Sequence, residues 1–152
     1  MMVWLDQVLD LENLRRRVRE GYIVERSGRG GMRIWNYTAK CQYDRAWDNE
    51  TRRCRGLVVD GYGVVVARPF EKFFNLGEPG VLIPDEPFDA SEKVDGSLIV
   101  AGSGPHGVSL TSRGSFDSEH ASHARALWER HYADVVVPEG TTLCLELVAP
   151  WN

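Results

Sequence analysis

The chain has 152 residues, 43% of them apolar and 26% charged, with a net charge of −4. That is one domain's worth of chain with enough apolar mass for a core, and its acidic balance argues against a whole-surface nucleic-acid binder. No run nears the roughly 18 apolar residues that cross a bilayer, and the early acids of "MMVWLDQVLDLENL" exclude a secretory signal, so the expectation is a cytoplasmic protein with no membrane partner.

In chain order, Leu5, Val8, Leu9, Leu11, Leu14 and Val18 recur at helical spacing up to a stop at Gly21, which predicts one N-terminal helix. "YIVER" and "MRIWNYTA" read as strands around the turn "SGRGG". "RGLVVDGYGVVVARPF" is a hairpin signal, two β-branched runs about an Asp60-Gly61 turn. "KFFNLGEPG" opens a proline-rich loop through Pro87. "ASEKVDGSLIVAG" reads as two short strands kinked at Gly96, and "HGVSLTSRG" returns as another around "GSGPHG". "SFDSEHASHARALWERHY" is helical, with Ser115 as N-cap, Asp117 and Glu119 in its first turn and Arg130 near its end. "TTLCLELVAP" is a final strand. Strands that turn back as hairpins dominate, so the predicted class is α+β with mixed, mainly antiparallel sheets and flanking helices.

Cys41, Cys54 and Cys144 are odd in number and widely spaced, which fits reduced thiols better than a disulfide framework, and no CxxC pair suggests zinc. "GSGPHG" matches a dinucleotide fingerprint letter by letter, but a strand follows it where the fingerprint needs a helix, so a hairpin turn is the better reading. His120 and His123 are spaced to share a helix face, without the acidic companion of a metal motif; a solvated face fits them better. Residues 11–35 hold seven arginines against three glutamates. A solvated helix face explains most such clusters, and a phosphate-backbone contact is the sharper alternative.

Of eighteen basic residues fifteen are arginine, and the lysines are Lys40, Lys72 and Lys93. A lysine kept against that bias points to work arginine cannot do, because guanidinium stays protonated and is a poor nucleophile. Lys93 sits in "EKVDGSL". Around it stand "CRGLVVD", "RPFEKFFN", "TSRGSF" and "LELVAPWN". These five strings, in this order and at these intervals, resemble the covalent nucleotidyltransferases, and most closely the RNA ligase 1 group of T-even phages, the tRNA-repair ligases. The resemblance runs from about Arg33 to the last residue.

The resemblance implies an adenylation domain in which Lys93 attacks the α-phosphorus of ATP and keeps AMP through a P–N bond. A lysine in water carries its proton up to about pH 10.4, so such chemistry needs nearby cations or desolvation. AMP then passes to an RNA 5′-phosphate, and a 3′-hydroxyl displaces it to seal the strand. The implied partners are RNA ends, whether cleaved tRNA or any single-stranded end. Arg55 and Lys72 match residues that contact the nucleotide phosphates. Phe74 matches an aromatic position for which core packing and nucleotide support weigh equally. Gly96 would allow a backbone turn beside the nucleotide, and Asp95 would hold that turn. Glu92 and Val94 flank the nucleophile and could meet adenine. Arg113 falls where the family usually has lysine. Glu146 matches an acidic residue for the ribose or for Mg²⁺; on a strand read as buried, an unpaired carboxylate would be costly. The implied cofactors are ATP and Mg²⁺.

Full ligases of this type carry an EGxV-like segment and a KxK-like lysine pair after the "ELVAP" strand, and this sequence has neither. The expectation is therefore the N-terminal part of a nucleotidyltransferase domain, incomplete at its C-terminus, that charges itself inefficiently alone. Two alternatives stand beside it: a DNA ligase or capping nucleotidyltransferase, and an inactive remnant that only binds nucleotide or RNA.

Overall fold

The computed structural model describes residues 2–78 and 81–150. The single N-terminal helix expected from the spacing forms as two, α1 (Leu5–Val8) and α2 (Leu11–Arg19). Leu9 between them is extended, and the Asp10 carboxylate opens α2 by accepting from the backbone N–H groups of Glu12 and Asn13. An aspartate serves better at a helix start than in a helix interior, so the cap breaks the run. The apolar spacing survives the break, because Leu5, Val8, Leu9 and Leu14 all enter one core.

β1 (Ile23–Ser27) and β2 (Arg33–Tyr37) pair antiparallel across a short 3₁₀ turn at Arg29–Gly31. The polar stretch after them, which carries no apolar periodicity, forms two short helices, α3 (Ala39–Tyr43) and α4 (Asn49–Arg53). Each is opened by a side-chain cap, Thr38 to the Cys41 N–H and Asp48 to the Thr51 N–H. The predicted hairpin follows as β3 (Arg55–Val59) and β4 (Val65–Ala67). Its turn is held by the Asp60 carboxylate, which accepts from the backbone of Tyr62 and Val64 at 2.9 Å each. The first sheet has the order β1-β2-β3-β4, antiparallel throughout.

From Arg68 to Gly96 the described residues form neither helix nor strand; Pro79 and Gly80 of the predicted loop lie outside them. The two strands expected over "ASEKVDGSLIVAG" reduce to one, β5 (Ser97–Gly104). Residues 91–95 offer Val94 as their one apolar side chain, so a strand there would have no face to bury. β6 (Gly107–Ser112) returns across Pro105-His106. "GSGPHG" is thus a strand-to-strand turn, with no helix start to hold a pyrophosphate. α5 (Glu119–His131) begins one turn later than expected: Ser118 caps it through the Ala121 N–H. Ser115 instead accepts from the Asp117 N–H, which leaves Asp117 ahead of the helix. β7 (Thr142–Leu147) completes a second antiparallel sheet of order β6-β5-β7.

The period-two alternation of the strands sorts these elements into layers. Trp35, Leu57 and Val59 face α1 and α2, while Ile34, Val58 and Ala67 face the second sheet through Val100 and Phe116. On the far face of that sheet Ile99, Ala101, Leu110 and Leu147 cover α5 at Ala124. Each fully buried large side chain contributes roughly 2–3 kcal/mol, and the layer between the first sheet and α1–α2 holds more of them (Ile23, Trp35, Leu57 and Val59) than the layer between the sheets (Ile34, Val58 and Val100). No helix among the described residues is long and apolar enough to cross a membrane.

Candidate active site

Three motif segments meet where the two sheets lie against each other. Gly56 follows Arg55 with φ +94, and a β-carbon there would stand 3.1 Å from the Arg113 carbonyl oxygen. Only glycine allows that conformation and that approach, so the "CRG" and "TSRGS" motifs are locked together. The Arg113 guanidinium reaches across to the first sheet and donates to the Tyr37 hydroxyl at 3.0 Å, 5.0 Å above the ring. Tyr37 meets Trp47 edge to face at 5.0 Å, and Trp47 meets Phe74 the same way at 5.6 Å. Lys72 Nζ stands 4.5 Å from the Phe74 ring centre and 5.7 Å from that of Trp47. Arg55 lies over Phe73 at 5.0 Å.

The result is a wall of cations seated on aromatic faces. A ring face attracts a cation and strips water from one side of it without neutralising its charge. Arg55, Lys72 and Arg113 form no ion pair among the described residues. The glutamate beside Lys72 is engaged elsewhere: Glu71 pairs with Arg53 at 3.0 Å and Arg52 at 3.7 Å. The Lys72 backbone N–H donates to the Arg52 carbonyl at 2.8 Å, which anchors the segment to α4. Three positive groups thus keep their charge for an outside anion.

Trp47 is placed by the loop into α4. Thr51 Oγ1 donates to the Ala46 carbonyl at 2.9 Å, and Asp48 is gripped by Arg17 Nε at 2.6 Å. Burial pushes the Asp48 carboxyl up, but hydrogen bonds from the Thr51 backbone, the Arg17 guanidinium and the Thr51 hydroxyl prevail and hold it below the usual carboxylate value. Beside Arg55, Cys54 is fully buried, and burial with the Glu50 carboxylate pushes its thiol far up. Such a thiol is inert as a nucleophile.

Lys93 is built differently. It lies on the irregular segment before β5, 82% exposed, with Asp95 3.5 Å from its Nζ. Glu92 and Val94 are exposed on either side. Asp95 therefore faces the lysine instead of holding a turn. Gly96 has no positive φ; its requirement is space, because a β-carbon there would collide with the Leu147 carbonyl. The same β-carbon would stand 3.2 Å from Glu146 Cγ, so the glycine and glutamate of two motifs are neighbours. Glu146 itself is exposed, not buried. It alternates with Leu145 and Leu147 on a strand with β5 on one side only, so the cost of an unpaired buried carboxylate does not arise. Trp151 and Asn152 of the last motif lie outside the described residues.

The structure therefore joins Arg55, Lys72, Phe74 and Arg113, separately joins Gly96 to Glu146, and leaves Lys93 in solvent. Tyr37, Trp47 and Phe73 were missed by sequence reasoning. The doubled phenylalanine after Lys72 was a legible hint for Phe73, whereas nothing local marks Trp47 or Tyr37.

The sequence profile of the RNA ligase family matches residues 53–150. The chain belongs to the RNA ligase family. The matched span opens two residues before Arg55 and contains all the candidate site residues of this ligase-family chain, in line with the phage-type resemblance of its motifs. Tyr37 and Trp47, which complete the cation wall, lie ahead of it. No curated protein matches the chain.

Proposed function

We propose that this RNA ligase family member transfers AMP from ATP to RNA 5′-phosphate ends, with Lys93 as nucleophile. The observation that carries the reading is the set of three cations, Arg55, Lys72 and Arg113, held on aromatic faces with no carboxylate partner among the described residues. Phosphoryl transfer is mostly alignment and charge neutralisation, and such a wall suits a polyphosphate.

In this reading Arg55 and Lys72 hold the phosphates and Arg113 orients on them through its bond to Tyr37. The Lys93–Asp95 pair opens and Nζ moves to the cation wall, where the neighbouring positive charges favour loss of the ammonium proton to solvent. Nζ then attacks the α-phosphorus: an N–P bond forms and the bond to pyrophosphate breaks. In the second step an RNA 5′-phosphate oxygen takes the AMP, breaking the N–P bond. In the third a 3′-hydroxyl displaces AMP and closes the phosphodiester. No three His, Cys, Asp or Glu side chains gather into a metal cage among the described residues. The donor set fits Mg²⁺ carried on the phosphates with Glu146 as a protein carboxylate; when bound, the ion would supply charge neutralisation of the leaving pyrophosphate.

The test is incubation with α-labelled ATP and Mg²⁺ followed by peptide mapping. The expected result is an AMP adduct on Lys93 that is chased by 5′-phosphorylated RNA and absent from Lys93→Ala. An adduct retained in that variant, or mapped to another residue, overturns the assignment.

A further inference from the structure

The arginine-rich N-terminal stretch has no part in that chemistry, and the structure divides six of its seven arginines into two groups. Arg16 pairs with Glu20 at 3.6 Å, Arg17 with Asp48 and Glu20, and Arg26 donates to the Gly114 carbonyl. Arg15, Arg19 and Arg33 form no ion pair among the described residues, and all three line one cleft of about 530 Å³. The cleft lies between α2 and the outer face of the first sheet. Arg15 and Arg19 are one helical turn apart and share a face.

The lining is aromatic as well as cationic. Trp35 forms part of the floor, 1% exposed, with the Arg33 guanidinium 5.3 Å over its ring and its Nε1 donating to Glu25. Trp4 and Tyr62 stand at the rim, 44% and 85% exposed. Trp4 is held at this rim by its bridge to Val64, two residues after Tyr62. Asp6 and Glu25 also line the cleft, which leaves the guanidiniums in excess by one, and Glu25 is already occupied by Trp35.

Exposed aromatic faces beside guanidiniums in excess over carboxylates are what single-stranded nucleic acid binds: the rings stack on bases and the cations meet phosphates. The volume lies in the range of ordinary ligand pockets. Trp4, Arg15, Arg19, Arg33 and Trp35 all precede residue 53, so the cleft is built mostly from residues outside the family match.

We propose that this cleft is a single-stranded RNA-binding site that holds the substrate strand away from its reacting end. The proposal rests on RNA being the substrate. Tyr62 lies beyond one end of β3 and Arg55 begins it at the other, so the cleft and the cation wall stand about the length of β3 apart, five residues or roughly 16 Å, a span the RNA would cross over the protein surface.

The test is titration of a fluorescein-labelled, 5′-phosphorylated single-stranded RNA with the 152-residue chain, read by anisotropy at several salt concentrations. The triple variant R15Q/R19Q/R33Q is expected to raise Kd at least tenfold and to flatten the salt slope by about 2, since each phosphate left unneutralised removes about 0.7. Tyr62→Ala is expected to raise Kd about tenfold by removing a stacking face, with the salt slope unchanged. Because Arg33 covers Trp35, the double variant R15Q/R19Q guards against a folding defect; it keeps that cover and must itself weaken binding. Wild-type affinity and salt slope in the double and triple variants overturn the proposal. So does a poly-glutamate peptide that competes as well as RNA, since it carries charge without bases. If RNA binding survives the triple variant but falls in Lys72→Ala, this site alone is wrong. If the wild-type chain binds no RNA at all, both this site and the RNA substrate of the proposed function fail.

Discussion

The sheet body around β3 and the irregular run from Arg68 to Gly96 both carry motif residues, yet they hold them by different means. Arg55 and Gly56 sit on a strand whose next residues, Leu57, Val58 and Val59, are buried between α1–α2 and the second sheet. Arg113 is pinned against Gly56 and Tyr37 from the other side. Along the irregular run only the first part is anchored, where Lys72 binds the Arg52 carbonyl and Glu71 pairs with Arg52 and Arg53. Beyond it Leu82, Ile83 and Phe88 are exposed, and Lys93 pairs only with its near neighbour Asp95 among the described residues. The difference separates two demands of the chemistry. Under the proposed function, cations that face phosphates would gain from preorganisation, whereas a lysine that must meet ATP and then RNA would be served by a segment with few bonds to break.

The largest expected effect falls on Lys93. Lys93→Ala should lower the AMP adduct to background while leaving the melting temperature within about 1 °C, since a solvated side chain contributes little to stability. A drop of several degrees would break the contrast between the two regions. Leu57→Ala should do the reverse. Removing a fully buried leucine costs about 2–5 kcal/mol, measured as a shift in the urea midpoint, with the adduct still mapping to Lys93 in whatever fraction stays folded.

Arg113→Ala should weaken ATP binding about tenfold by calorimetry. Tyr37→Phe, which removes only the hydroxyl that aims Arg113, should weaken it by roughly fivefold at most, the worth of about one hydrogen bond. Equal losses in the two would mean that Tyr37 does more than orient.

The smallest effect is one of pH. The Asp48 carboxyl lies below its ordinary value when folded, so the folded state binds fewer protons than the unfolded one near pH 4. Its stabilisation is complete above the unfolded value of about 3.9 and is lost as pH falls through the folded value. Asp48→Asn should therefore flatten the fall of melting temperature between about pH 5 and 3. An unchanged slope would show that the loop placing Trp47 does not depend on that charge.

Much of this was legible along the chain because it depends on local pattern. The continuous apolar runs in "RGLVV" and "SLIVAG" predicted β3 and β5, and the Asp60-Gly61 pair predicted the hairpin between β3 and β4. Ordered motifs picked out Arg55, Lys72, Lys93, Arg113 and Glu146. Local competition was harder to read. Asp10 splits the first helix by capping the second, and Ser118 takes the cap from Ser115, because neighbouring polar side chains compete for the same few backbone donors.

The sequence by itself pointed to an α+β class with mainly antiparallel sheets through its local patterns, and to the family and the candidate nucleophile through the resemblance of its ordered motifs. Only the tertiary structure decided that Glu146 lies in solvent beside Gly96, that Tyr37 and Trp47 carry the cations, and which N-terminal arginines form ion pairs among the described residues. Each of those depends on which residues from distant parts of the chain come within a few ångströms of one another. Charge neutralisation and cation–aromatic attraction act over such distances, and spacing along the chain does not encode them.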